Sequence, residues 1–444
     1  MLSQGQADRL AVDFKEKLEA VSIDELATES GFVKRKPKKL APLQMLLGFF
    51  KTTLTGCISY RAQAISIGLA ICCTVSKQAI HKRIKAPFLK FIEFVLAAVL
   101  AEKIKDRCKI ACSDALKKFK RVLLQDSTTI AVDAKLAKSF PGSKNRTNKE
   151  TAILRVQAVV DILTEKFRLF KITAFTNNDQ SASPLILDII EKGDLILRDL
   201  GYLVLSVLTA IQLRGAFYIS RLKYGICLYE ADGQTPLNLL KKLKKNGFFD
   251  EEIYAGKKEK VRCRLVAIPL PEVVAAERRR KAKADRDRRR NPSKEYLQLL
   301  GWEIFITNVD YEILNTRQIG EIYELRWRIE TIFKSWKSNF NLAKVPKGTA
   351  IRVQSHVYAT LIFITIFQTQ IFVRLYKENQ KRNKRQLSLF KVSSFLKEHL
   401  WAIVLLFQDR EITPEEINEQ IFYHCTYESR GDRTNYAEKL EKLS

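Results

Sequence analysis

The spacing of apolar residues changes twice along this chain. Up to about residue 115 the apolar positions recur at helical intervals. Leu40 to Phe50 and Ser59 to Leu69 read as helices. Cys72 to Val75 reads as a turn, and Ser76 to Ile84 as a second helix with Ser76 as its N-cap. From about 116 the texture turns to strands, at Arg121 to Thr129, Ile153 to Ile162 and Phe167 to Phe175. Ser183 to Lys192 reads as a helix, with Ser183 as cap and Pro184 in its first turn. A short apolar strand Asp194 to Asp199, a helix Val204 to Leu213 and a strand Phe217 to Leu222 follow. This order predicts an α/β domain with a mixed sheet.

Between 223 and 300 the pattern is interrupted. This stretch holds the helical Leu237 to Lys245, the strand-like Lys260 to Pro269 and a charge run from Glu277 to Arg290. Trp302 to Val309 resumes the strand pattern, and a helix from about Thr316 to Phe340 follows. Val353 to Val373 carries no formal charge and is about long enough to cross a bilayer. It also contains Gln354, Ser355, His356, Thr360, Thr365, Gln368, Thr369 and Gln370, a polar load that predicts a helix buried against a sheet and no membrane partner. The segments expected are therefore 1–115, 116–222, 223–300, 301–375 and 376–444, the last helical and a candidate for dimerisation.

Charge adds what periodicity cannot. The 444 residues hold 77 Lys and Arg against 49 Asp and Glu, a net +28. Such an excess implies a polyanionic partner, most commonly nucleic acid. The pair formed by Ser59–Leu69 and Ser76–Ile84 resembles a helix-turn-helix whose second helix would offer Lys77, Gln78, His81 and Lys82 to a DNA groove, though a plain helical pair with a basic face would look the same. A basic patch Lys34 to Lys39 precedes Leu40 to Phe50 and another basic run spans Lys381 to Arg385, while the run Glu277 to Arg290 reads either as solvated helix or loop or as a phosphate contact. Met1 to Leu26 has no apolar core of a secretory signal. The eight cysteines show no disulfide framework, which reads as a reduced cytoplasmic setting, and Cys108 and Cys112 lack a nearby His or Cys to complete a zinc site.

The segment Ile319 to Lys337 is the most informative. On a single helix at about 100° per residue, Ile322, Leu325, Ile329, Ile332, Phe333 and Trp336 form a core stripe. Glu324, Arg328, Thr331 and Ser335 form a solvent face. A third arc gathers Tyr323, Arg326, Trp327, Glu330, Lys334 and Lys337. Glu330 there is either one half of an i,i+4 ion pair worth tenths of a kcal/mol or a metal ligand among cations that hold phosphates.

The pattern Tyr323-x2-Arg326-x3-Glu330-x6-Lys337 resembles the signature of the insertion sequence four (IS-four) family of DDE transposases. Asp126, closing the strand VLLQD before Ser127-Thr128, resembles that family's first Asp motif. Asp199, closing LILRD before Leu200-Gly201-Tyr202, resembles the second. The resemblance spans about residues 30 to 375 and implies an RNase H-like core, interrupted by a β-rich insertion, behind a helical N-terminal DNA-binding domain. It accounts for the long interval between Asp199 and Glu330.

It further implies that Asp126, Asp199 and Glu330 are catalytic and hold two Mg²⁺ ions, with Mn²⁺ as a substitute. Asp126 would bridge the metals, and Tyr323, Arg326, Lys334 and Lys337 would hold terminal phosphates. Two ions about 4 Å apart can activate a water or 3′-hydroxyl and stabilise the leaving oxygen, and Mg²⁺ prefers oxygen ligands. Implied partners are double-stranded DNA, as transposon ends and target, and a second copy of the chain in a bacterial, nucleoid-associated setting. Cleavage would run with or without a hairpin intermediate, and Trp302 would stack on a base flipped out near the end. Two other functions fit the same residues: a catalytically silent DNA-binding regulator, and an RNase H-like nuclease without strand transfer.

Overall fold

The computed structural model of the chain describes residues 21–35, 40–70, 73–101, 114–143, 150–284, 292–398, 418–419, 421–422, 425–427 and 434–442. Outside the described residues lie the first twenty residues, 36–39 of the basic patch, Cys72, Cys108, Cys112 and the 285–290 end of the Arg-rich run. The described cysteines are all free.

Among the described residues nine strands form one mixed sheet: β1 (Val122–Val132), β2 (Ala152–Asp161), β3 (Lys166–Ala174), β4 (Leu195–Arg198), β5 (Phe217–Arg221), β6 (Leu228–Tyr229), β7 (Phe249–Ala255), β8 (Val261–Pro269) and β9 (Trp302–Thr307). Their order is β3-β2-β1-β4-β5-β9-β8-β7-β6. β4 runs parallel to both β1 and β5, whereas β9, β8, β7 and β6 continue antiparallel. The strands of the 223–300 stretch thus extend the same sheet. β6 and β7 are additions to the sequence reading: β7 is FDEEIYA, whose exposed acids mask the alternation. The chain divides into two compact units, one of Met1–Ile110, Ser127–Thr176 and Arg328–Ala437, the other of Ala111–Asp126, Asn177–Trp327 and Glu438–Ser444.

In the first unit the helix Ala350–Ile366 is buried along nearly its whole length. With its continuation it spans Ala350–Asn383, and 83% of its most apolar window is buried. It packs on the helices Pro42–Thr55 and Ala86–Ala101 as well as on β3, so the sheet expected against it is only part of its cover. Two of its threonines find partners inside: Thr360 Oγ1 meets Thr53 Oγ1 at 3.1 Å, and Thr365 donates to the Leu361 carbonyl. His356 Nε2 lies 3.1 Å from the Lys344 carbonyl oxygen.

Burial, with Arg352 nearby, pushes the His356 imidazole down from the usual 6.5 to about 4. Between those values the unfolded chain takes up a proton that the folded chain refuses. Stability is therefore expected to fall as pH drops through this window, by up to about 3 kcal/mol at ~1.4 kcal/mol per unit. Urea midpoints between pH 7 and 4 test this. The acid loss should shrink in His356→Leu, and an undiminished loss would assign it to other groups.

In the second unit Arg264 secures the antiparallel extension. It pairs with Asp250 at 2.5 Å and donates to the carbonyls of Val309 and Leu314. The chain then enters the helix Thr316–Glu324 through a capping box between Asn315 and Gln318.

Three sequence expectations are corrected. Ser183 is no N-cap: a short helix Asp179–Ala182, with Asn178 as N-cap and Ser183 as C-cap, runs into a 3-10 helix Ser183–Asp188. Asp126 lies inside β1 and not at its end, because β1 continues beside β2 after its pairing with β4 stops at Gln125. The single helix expected from Thr316 to Phe340 is two, Thr316–Glu324 and Trp327–Ser338. Between them the amides of Leu325 and Arg326 reach back three residues, to the carbonyls of Ile322 and Tyr323, in a tightened turn.

Candidate active site

In the second unit, β1 and β4 pair in parallel with Gln125 opposite Arg198, so the next residue on each strand is an aspartate. Asp126 and Asp199 therefore emerge side by side, 20% and 40% exposed at their side chains. Asp199 is the residue before the 3-10 turn Leu200–Tyr202, yet its side chain does not cap that turn, which leaves the carboxylate directed outward.

Arg326 joins the two acids. Its Nη1 lies 4.0 Å from Asp126 Oδ2 and its Nε 3.6 Å from Asp199 Oδ1, ion-pair distances in a group only 7% exposed. Its guanidinium also lies over the rings of Tyr323 and Trp327, at 5.9 and 5.1 Å. Tyr323 is buried, and its hydroxyl donates to the Arg198 carbonyl at 3.2 Å. Burial pushes this phenol well above its usual range, so it remains a donor. Trp327 is 56% exposed.

Behind the aspartates sits a polar clamp that the sequence reading missed. Successive strand residues face opposite sides, so Gln125 and Arg198 point inward where their neighbours point out. Arg198 Nη2 donates to Gln125 Oε1 at 3.1 Å and to the Ser183 carbonyl at 3.2 Å, while Gln125 Nε2 donates to the Ala182 carbonyl at 3.0 Å. Ser183 Oγ donates to the Tyr202 carbonyl. Burial lowers the Arg198 guanidinium to about 10. The available signal was a charged residue closing the otherwise apolar strand LILR.

Trp302 opens β9 half-buried, and its indole N–H donates to the Gly247 carbonyl at 2.8 Å. The Arg-rich run is engaged with acids of the same unit: Arg278 with Glu303, Arg279 with Glu272, and Lys281 with Glu277.

In the first unit, Glu330, Lys334 and Lys337 are exposed on the helix Trp327–Ser338. The Lys334 ammonium lies 5.1 Å from the Phe390 ring, and partial burial lowers the Lys337 ammonium. The expected core stripe is buried throughout. The expected solvent face is not: Arg328 and Ser335 are buried. Ser335 Oγ meets Ser393 Oγ at 2.7 Å on the helix Leu389–Glu398, and Arg328 pairs with Glu165. Elsewhere in this unit, Lys77, Gln78, His81 and Lys82 are all exposed on the helix Lys77–Arg83, whose N-cap Ser76 accepts from the Ala79 amide as expected.

Among the described residues, no group of three or more His, Cys, Asp and Glu stands together as a metal site. The donor chemistry does suit a hard cation: Asp126 and Asp199 supply carboxylate oxygens, partly open to solvent, at a point where positive charge is already held.

A family model described as "Transposase DDE domain" matches residues 117–366. The transposase for insertion sequence element IS231C of Bacillus thuringiensis subsp. berliner is 30% identical over 400 residues, covering 85% of this chain and 82% of its own. The IS231B transposase of the same organism is 30% identical over 408 residues, covering 87% and 84%. The transposase for insertion sequence element IS1151 of Clostridium perfringens is 24% identical over 383 residues, covering 82% and 80%. The domain match takes in both aspartates and the Arg326–Glu330 helix pair, and with relatives aligned along most of its length the chain belongs to the DDE transposase family of DNA-acting enzymes.

Proposed function

We propose that the protein is an active transposase, which cleaves the ends of its own element and joins them to target DNA with Asp126, Asp199 and Glu330 as the acidic triad. The observation that carries this reading is the convergence of Asp126 and Asp199, remote in sequence, on Arg326. A protein that only bound DNA would gain nothing from two carboxylates turned outward beside a polyanion.

Asp126, Asp199 and Glu330 would hold Mg²⁺, or Mn²⁺ in its place, as a pair of ions. The chemistry supplied by the bound ions is activation of the attacking water or 3′-hydroxyl and stabilisation of the leaving oxygen. The chain's own contribution is positioning and charge. Arg326, which lies over the Tyr323 and Trp327 rings, would offer its guanidinium to a terminal phosphate. Lys334 and Lys337 share the exposed side of Glu330's helix and hold neighbouring phosphates. Tyr323 keeps Arg326 in register through its bond to the Arg198 carbonyl. Trp302, its ring fixed by the bond to Gly247, stacks on a flipped base, and the Lys77–Arg83 helix reads the end through Lys77, Gln78, His81 and Lys82. Two copies of the chain pair two ends.

The test uses the full chain, Mg²⁺, a linear duplex ending in the inverted repeats that flank its gene, and a target plasmid. Joined products that vanish with EDTA are expected. Ends cut but never joined would reduce the activity to that of a nuclease, and ends bound but left intact would leave a DNA-binding regulator.

A further inference from the structure

Arg328 lies two residues before Glu330 on the helix Trp327–Ser338, about 200° around it. Glu330 is exposed and Arg328 is fully enclosed, so the two mark opposite sides of one helix. Arg328 Nε donates to Glu165 Oε1 at 2.9 Å, and Nη2 stands 2.9 Å from the same oxygen. Both side chains are almost wholly buried, at 2% and 1% exposure. The other Glu165 oxygen accepts from Gln368 Nε2 at 2.7 Å, Arg328 Nη1 donates to Tyr427 Oη at 3.3 Å, and the Tyr436 ring covers the guanidinium at 4.7 Å.

Two backbone irregularities converge on this pair. Glu165, in the β2–β3 turn, has φ +54°, a left-handed conformation uncommon outside glycine. Gln368 lies in the π-helical stretch Phe367–Phe372, a form that is rare and frequent at functional sites. A buried ion pair is seldom more stabilising than well-packed apolar side chains of the same volume, and its best-attested use is to select one geometry. Stability alone therefore does not explain why four separate segments deliver polar groups to this point.

We propose that the Arg328–Glu165 pair is a positioning device for the reaction: it fixes the rotation of the helix Trp327–Ser338 from behind and so sets where Glu330 presents its carboxylate. This rests on the reading of Glu330 as the third acid. Arg328 touches neither DNA nor metal and acts through the helix.

The test replaces both members at once, Glu165→Met with Arg328→Met, which removes the charges and keeps the volume. The double variant is expected to melt at or near the wild-type temperature and to bind end DNA within about twofold. Its cleavage rate and its Mn²⁺ affinity, the latter read from free Mn²⁺ by electron paramagnetic resonance without any turnover, should each fall about 10- to 100-fold, as when a supporting contact of a metal ligand is lost. Wild-type cleavage and Mn²⁺ affinity in the folded double variant would overturn the proposal. If that variant does not fold, Glu165→Asp takes its place: it keeps the charge and shortens the reach, and the same two losses are expected, with unchanged values again overturning the idea. Glu330→Gln run alongside separates the two levels. Normal cleavage by Glu330→Gln removes the acid assignment itself, whereas an inactive Glu330→Gln beside a fully active double variant removes only the positioning role.

Discussion

Glu330→Gln is expected to lose cleavage of end DNA by about three powers of ten while binding those ends with near wild-type affinity. Gln keeps the volume and the hydrogen-bonding reach of Glu but cannot supply the negative charge that a metal ligand must carry. Charge stabilisation by bound metal is worth several kcal/mol, and each 1.36 kcal/mol is about tenfold in rate. The side chain is exposed, so the substitution removes no packing and the melting temperature should stay within a degree or two of wild type. Binding is measured by mobility shift in Ca²⁺ and cleavage in Mg²⁺ on the same duplex. A variant that cuts at near wild-type rate shows that Glu330 is not the third acid. One that neither binds nor cuts shows that the side chain belongs to the DNA-binding surface.

Trp336→Ala is expected to destabilise the protein by about 3–5 kcal/mol, the usual loss for a large aromatic removed from a core. Trp336 is 1% exposed on the same helix and packs against the rings of Phe333, Phe167 and Phe170 at 4.9, 5.3 and 5.7 Å. Two of these rings come from β3, so the indole links this helix to that strand. Urea unfolding followed by far-UV circular dichroism should show the midpoint fall with little change in slope. Cleavage should fall with it, and unlike the Glu330→Gln defect it should recover at lower temperature, where the folded fraction returns. An unfolding free energy within about 1 kcal/mol of wild type would mean that the neighbouring rings collapse into the space and that the helix is held chiefly by other contacts.

These two residues also show where sequence and tertiary structure divide the work. The core stripe through Trp336 was legible because helical periodicity is local: apolar side chains three and four apart share a face whatever lies opposite. The same locality made β1 to β5, β8 and β9 readable, along with the Ser76 cap, and it set Asp126 and Asp199 immediately after inward-facing Gln125 and Arg198. What a face meets is not local. Arg328 and Ser335 looked solvated until Glu165, Tyr427, Tyr436 and Ser393, all distant in sequence, closed over them. The turn at Leu325 and Arg326, which ends the helix Thr316–Glu324, has no sequence mark, having neither Gly nor Pro. Likewise the Arg198–Gln125 clamp exists only because parallel pairing brings two strands into register. Propensity and period operate over one or two turns of chain; burial of a charge, and the partner that makes it tolerable, are decided by whichever remote segment packs there.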